Sequence, residues 1–259
     1  MNAIQVLKKI FLYFFVFKFD VLKQKNNENR IRFDNSVHDL LSSIECKKKL
    51  IPTISAVYRV KNAETFLYMS IYSIAPICSE IIIVDNNSSD NTLEIAEKIK
   101  SELKGKVDVK IYSYNKELAI AGPSYKPDLQ FKGSLADYYT YCFSKATSDY
   151  VMKCDAHLLY NPKGLLAIQA KIAKQPKVII FRGVELYGLR LPLEWYIFRN
   201  DRSFNYTDGE FWEQVNFDFK LSMLEKFQCT IFTPLFLHYK RVVYAKMDNT
   251  QSLIAQLYK

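Results

Sequence analysis

Glycine is scarce in this sequence, with 7 in 259 residues. Loops that wrap phosphate in bare backbone need glycine where N–H groups must approach closely. Neither G-x-x-x-x-G-K-[ST] nor G-x-G-x-x-G occurs, which argues against a P-loop NTPase and a dinucleotide dehydrogenase. The cysteines (Cys46, Cys78, Cys142, Cys154 and Cys229) are odd in number, scattered, and form no C-x-x-C pair. A disulfide framework and a structural zinc site are therefore not expected, and a reducing cytosol is. The apolar N-terminal run falls short of the roughly 20 residues that span a bilayer. No small-residue cleavage site follows it, so a cleavable signal peptide is not expected either.

Aromatic residues and positive charge are what the chain has in quantity: 18 Tyr, 18 Phe and a net charge of +9. Residues 1–50 contain ten Lys/Arg against five Asp/Glu, so +5 of the excess lies in this arm. Within it, "KKIFLYFFVFKF" (Lys8 to Phe19) flanks aromatics with lysines. That pattern suits a segment lying in an anionic membrane surface, and equally a helix or strand packed on the body. The basic residues are not interleaved with a helix-turn-helix or RNP pattern, so no nucleic-acid partner is expected. A polar stretch, Lys23 to Ser36, reads as a linker.

From Ile51 onward strands and helices alternate. "TISAVY" is a short β-rich run, and residues 63–75 place Leu67, Ile71, Ile74 and Cys78 at helical spacing. "EIIIVD" (Glu80–Asp85) is a continuous apolar run, the mark of a strand covered on both faces. Residues 91–103 put Leu93, Ala96, Ile99 and Leu103 on one helical stripe, with Ser88 to Asp90 available as caps. A strand over 107–114 follows. The next helix covers 133–146, with a capping-box-like start at Ser134 and Asp137 and a stripe of Leu135, Tyr139, Cys142 and Ala146. It leads into the strand "DYVMKCD". Such a βαβ series predicts an α/β fold, a mainly parallel sheet with helices on both faces. Beyond Pro162 the pattern is less regular, although 177–183 and 229–241 read as strands. The predicted division is an arm (1–50), a half over 51–165, and an irregular half with the C-terminal tail (166–259).

Asp155 and His157 follow the strand "DYVMKCD" two residues apart. In extended chain, positions i and i+2 share a side, so carboxylate and imidazole can converge on one divalent cation. A turn-capping Asp with an exposed His gives the same spacing. Asp85 closes another buried strand, and in parallel sheets ligands bind beyond such carboxyl ends.

"ISAVYRVKNAETFLYMSIYSI", "EIIIVDNNSSDNTLEIA" and "SDYVMKCDAH", in this order and spacing, resemble the nucleotide-sugar domain of family 2-type glycosyltransferases with the GT-A fold. The similarity covers residues 51–165 well and the remainder loosely. It looks closest to bacterial transferases of lipopolysaccharide or capsule biosynthesis. The resemblance implies a nucleotide-sugar donor, a UDP-sugar first, and a glycan or lipid-linked acceptor. It makes Asp85 the acceptor of a base N–H and matches Asp155 to the first acid of a D-x-D motif. His157 stands where the second acid usually lies. That departure shifts the expected divalent metal toward Mn²⁺ over Mg²⁺, which favours all-oxygen shells. His238, in "FLHYKR", resembles a late histidine that closes the metal shell, with Lys240 or Arg241 beside it for a phosphate. Tyr58 and Arg59 are candidates to stack on the base and meet a phosphate.

An inverting transfer needs a carboxylate to take the acceptor's proton. "YTDGEFWEQ" supplies Asp208, Glu210 and Glu213 at the implied distance, and Glu213 is favoured because Trp212 adjoins it. Lys126 and Lys132 lie in the segment that corresponds to a loop over the donor. The implied location is cytoplasmic, peripheral on the inner face of the cell membrane. Two other classes stay open: a sugar nucleotidylyltransferase, which usually opens on a glycine-rich loop absent here, and a non-catalytic membrane-surface glycan-binding module.

Overall fold

The computed structural model describes residues 52–186 and 191–239. The arm over 1–50, Lys240 and Arg241 lie outside the described residues. The core is one eight-stranded sheet in the order β3-β2-β1-β4-β7-β6-β10-β5. Strands β1 (Ile54–Val60), β2 (Glu80–Asp85), β3 (Asp108–Ser113) and β4 (Tyr150–Cys154) run parallel. β5 (Leu158–Tyr160) and β7 (Leu193–Arg199) are antiparallel to their neighbours, whereas β6 (Val178–Glu185) and β10 (Thr230–His238) pair in parallel. A separate hairpin joins β8 (Phe204–Asp208) to β9 (Glu213–Phe217). The fold is thus the mixed α/β, mainly parallel architecture expected, and one sheet draws strands from both sides of residue 165.

Strand alternation sorts the core into two layers. Ile54, Ala56, Tyr58 and Val60 of β1, with Ile81 and Ile83 of β2, pack among residues of α1 (Leu67–Ile74), α2 (Thr92–Glu102) and a later helix over residues 162–172. Val57, Ile82, Val84 and Val151 pack on the other face, beneath the helix Leu135–Phe143 and the β8–β9 hairpin. Between them in the chain lies α3 (Tyr125–Asp128). We number the helix Leu135–Phe143 as α4 and the helix Pro162–Ile172 as α5. The last helix among the described residues, α6, is Met223–Cys229.

Local chemistry sets the helix starts. The Ser134 side chain accepts from Asp137 N at the head of α4, as expected. Asp90 accepts from Thr92 N at the head of α2, so one of the three foreseen caps is used. Two stripes differ from the expected ones. Leu93 is exposed while Thr92, Ala96 and Ile99 are buried, and α4 buries Ala136, Tyr138, Cys142 and Phe143. In α2 the expected Ala96, Ile99 and Leu103 are buried and Thr92 takes the place of Leu93. In α4 Cys142 is buried as expected, Tyr139 and Ala146 are partly buried, and the helix packs against the β8–β9 hairpin as well as the sheet. Gly183 is demanded by packing: a Cβ there would lie 2.0 Å from the Phe236 ring of β10. Cys78, Cys142, Cys154 and Cys229 are buried free thiols.

A buried carboxylate ties the amino ends of the parallel strands together. Glu80, 2% exposed, accepts from Ser55 of β1, Lys110 of β3, and both the backbone and hydroxyl of Thr147 before β4. Burial pushes its carboxyl up, but these donors outweigh burial and hold it below the ordinary value. Its stabilising contribution is therefore complete above the ordinary glutamate range and is lost as pH falls through the lowered value. Glu80→Gln is expected to cost about 3 kcal/mol in urea unfolding at neutral pH. The gap to wild type should close as the pH drops below the ordinary glutamate range.

Candidate active site at the ends of β1 and β4

The chain builds β1, β2 and β3 in one direction and then returns to lay β4 on the other side of β1. This reversal opens a crevice between the carboxyl ends of β1 and β4, the place where open α/β sheets bind ligands. A cleft of about 300 Å³ lies there, lined by Arg59, Asn62, Phe66, Asp155, His157 and Tyr239 among others. Asp85 ends β2 on the far side of β1, opposite Val60, while Cys154 of β4 lies opposite Tyr58. Asp85 and Asp155 are thus about two strand spacings, roughly 10 Å, apart.

Arg59 is the hub. Its Nη2 donates to Asp155 Oδ1 at 2.5 Å and to the Cys154 carbonyl at 3.0 Å. Its side chain is 4% exposed, against 36% for that of Asp155. The guanidinium lies 4.2 Å from the Tyr139 ring centre. Burial alone would push Arg59 down; the fields of Tyr139 and Asp155 more than offset it and hold the guanidinium charged. Its Nε and Nη1 are buried without a hydrogen-bond partner.

Tyr58, one residue earlier, faces the opposite layer. It is fully buried and hydrogen-bonded with Ser70 of α1 at 3.2 Å. It offers no surface for a base to stack on. Strand alternation allows only one of Tyr58 and Arg59 on the site's face, and the structure gives that face to Arg59.

Asp85 is 3% exposed. Its Oδ2 accepts from Ser88 N at 3.1 Å, closing the turn after β2, while its Oδ1 is buried with no partner. Asp85 is not in the cleft's lining. Two asparagines in left-handed conformation shape the loops around it, Asn62 (φ 51°) and Asn87 (φ 52°). Asparagine tolerates that region better than other side chains with a Cβ. Asn62 also clasps the next loop: its Oδ1 accepts from Ser89 N at 2.8 Å, and its own N–H donates to Ser88 Oγ. Ala63 N donates to Thr92 Oγ1, and Asn91 donates from its backbone N–H and its Nδ2 to Glu64 Oε2, which extends the clasp. The sequence reading passed over Asn62, although an Asn directly after a strand was a usable turn signal.

His157 reaches the cleft from beyond Asp155, and its ring stacks on His238, the last residue of β10, with centres 4.7 Å apart and planes 12° apart. His238 Nδ1 lies 3.6 Å from Glu185 Oε1. The structure therefore brings Asp155, His157 and His238, expected from distant parts of the chain, to one end of the sheet. One carboxylate and two imidazoles are a donor set suited to a borderline divalent ion. Among the described residues no three His, Cys, Asp or Glu side chains are gathered around a single point. Closing this set on an ion would require local side-chain movement.

The three downstream acids separate. Asp208 is committed to structure, accepting from the Tyr125 hydroxyl and from Ala136 N at the head of α4. Burial raises it, but hydrogen bonds from Ser134, Tyr125 and Ala136 prevail and hold it below the ordinary range. Glu210 is exposed in the hairpin turn. Glu213 pairs across from Asp208 and is half-buried. The Tyr139 hydroxyl hydrogen-bonds Glu213, and burial, opposed by Arg59 and reinforced by Glu213, holds that phenol well above its ordinary value. Trp212, expected as the wall beside Glu213, is 54% exposed; Tyr139 and Tyr206 form the wall instead. Lys132 is paired with Glu117 and Asp128, and Lys126 is exposed.

Removing the clasp should be measurable without any ligand. Asn62→Ala loses the bond from Ser89 and strains the backbone, an expected cost of about 1–2 kcal/mol in chemical denaturation. Asn62→Gly, which relieves the strain and loses only the side chain, should cost less.

No curated protein matches the sequence. Among solved structures, S. aureus TarS 1-349 aligns at 15% identity and a TM-score of 0.49, covering 75% of this chain and 62% of its own. Its complex with UDP-GlcNAc aligns at 14% and 0.48, covering 71% and 58%. Glucosyl-3-phosphoglycerate synthase from Mycobacterium tuberculosis, with Mn²⁺ and UDP-glucose, aligns at 19% and 0.38, covering 57% and 48%. The chain thus spans less than two thirds of each of these proteins. Residues 55–121, which run from β1 past Asp85 into the loop before α3, match the family model described as Glycosyl transferase family 2.

Proposed function

We propose that this chain is a glycosyltransferase that moves a sugar from a nucleotide-sugar donor, a UDP-sugar first, to a glycan or glycolipid acceptor of lipopolysaccharide or capsule type, with inversion. The observation that carries the proposal is the cleft between β1 and β4, lined by Arg59, Asp155 and His157, in a chain whose residues 55–121 match a glycosyltransferase family. Asp85 supports a nucleotide in particular. A buried carboxylate oxygen without a donor is costly, and a base N–H would satisfy it.

In this reading Arg59 supplies fixed positive charge beside the donor's diphosphate and orients the Asp155 carboxylate through Oδ1. Asp155, His157 and His238 would hold a divalent cation, Mn²⁺ preferred to Mg²⁺. Bound there, such an ion supplies Lewis-acid stabilisation of the departing nucleotide. Glu213 is the proposed base that takes the acceptor hydroxyl's proton, with Tyr139 orienting it. Asp208 and Glu210 are less suited, the one engaged and lowered, the other out in solvent. The proposed location is the cytoplasmic face of the membrane.

A thermal-shift panel of UDP, GDP and CMP, each with and without Mn²⁺, tests the donor and the metal together. UDP with Mn²⁺ is expected to stabilise wild type, and Asp155→Ala to abolish the metal-dependent part. Asp85→Ala should weaken nucleotide stabilisation whether or not metal is present. Glu213→Gln should lower kcat by about 10²–10⁴ with donor stabilisation intact. Equal shifts in wild type and both aspartate variants would sink the proposal.

A further inference from the structure

The apolar face of α6 points outward. Met223 is 90% exposed, Leu224 67% and Phe227 65%, while Cys229 is the helix's buried residue. Phe232 of β10, 51% exposed, adds its ring 5.3 Å from that of Phe227. Water meets four large apolar side chains here, on a helix well anchored by a full capping box between Ser222 and Glu225. The patch continues into a groove of about 580 Å³ with Leu221, Phe227 and Phe232 in its floor and Lys171, Lys174 and Lys177 along it. Lys220 and Lys226 stand exposed nearby in the chain. Glu225 is an acid in the groove, and its carboxylate is engaged by Ser222.

We propose that this face docks the protein on an anionic lipid bilayer, with Met223, Leu224, Phe227 and Phe232 entering the interface and the lysines meeting lipid phosphates. Exposed apolar patches of this kind mark interaction surfaces, and the basic rim selects the partner. A second copy of the chain would set the same lysines against each other. The chain's own N-terminal arm carries +5 over residues 1–50 and is repelled for the same reason. An anionic surface is the occupant that both features favour. No helix among the described residues is long and apolar enough to cross a membrane, so the contact lies on the surface. The inference does not rest on the catalytic reading, and it adds a constraint to it. From Phe232 to His238, β10 takes six steps of about 3.3 Å, so the cleft stands roughly 20 Å from the docked patch. Such a separation suits an acceptor sugar carried on a glycan chain better than one attached directly at the headgroups.

The test is sedimentation of the full chain with phosphatidylcholine vesicles, with and without about one part in three of phosphatidylglycerol. Wild type is expected to sediment with the anionic vesicles only, and less as salt rises. A Leu224→Glu/Phe227→Glu double variant should lose about tenfold or more in partitioning, and Lys174→Glu should weaken binding with a shallower salt dependence. All these side chains are on the surface, so an unchanged melting temperature confirms folding. Binding of the double variant equal to wild type would overturn the proposal and leave membrane contact to the arm. A concentration-dependent dimer, abolished by the same double variant, would overturn it in favour of a second copy.

Discussion

The site is organised by one ion pair at the carboxyl ends of adjacent strands, between the buried Arg59 and the partly exposed Asp155. A guanidinium taken out of water is expensive unless its charge is met at close range. Here a carboxylate, a main-chain carbonyl and the face of Tyr139 meet it together. That arrangement fixes more than two residues. Tyr139 belongs to α4, and its hydroxyl reaches Glu213 of the hairpin. Arg59 thereby links β1 and β4 to α4, within the aromatic cluster that packs α4 and the β8–β9 hairpin on the sheet.

The support beneath is equally specific. Asp208, one of the three candidate acids, instead pins the head of α4 together with Tyr125. The hairpin consequently presents two carboxylates in register, Asp208 and Glu213, with opposite employment. One holds the fold and is lowered by its donors. The other faces Tyr139 and Tyr206, whose phenols feel both Glu213 and Asp155.

Much of this was legible in the sequence where the signal was periodic. The continuous run Glu80–Asp85 reads as a fully covered strand and is one, and the alternation from β1 to β4 matches the parallel sheet found. What could not be read was parity and long-range closure. Tyr58 and Arg59 are adjacent letters, and only the register of β1 decides which faces the helix α1 and which the cleft. The stacking of His157 on His238 joins positions 81 residues apart through two strand pairings, β10 with β5 and with β6, that local pattern does not announce. The aromatic wall around Glu213 was expected from its chain neighbour Trp212, but a strand residue's neighbours on its own face come from other strands and helices. Tyr139 and Tyr206 meet it across the fold for that reason.

The two loops that frame the cleft show how a sequence with little glycine still makes tight turns at its ligand end. Where a glycine would supply a positive φ at no steric cost, this chain uses Asn62 and Asn87. The exchange has a consequence for rigidity. Glycine would leave the loop more conformational freedom to lose on folding, whereas asparagine limits that freedom and adds a side-chain acceptor. At Asn62 that acceptor takes the Ser89 N–H, so the loop after β1 and the loop after β2 brace each other, with Ala63 and Glu64 completing the contact. Asp85 ends the strand before this second loop, its Oδ2 accepting from Ser88 N and its Oδ1 buried without a partner. Preorganisation of that kind lowers the ordering cost of binding, because the loops need not be fixed when a ligand arrives. The scarcity of glycine, which argues against the phosphate-wrapping folds, is thus matched at these turns by asparagine, whose side chain both tolerates the left-handed conformation and braces the neighbouring loop.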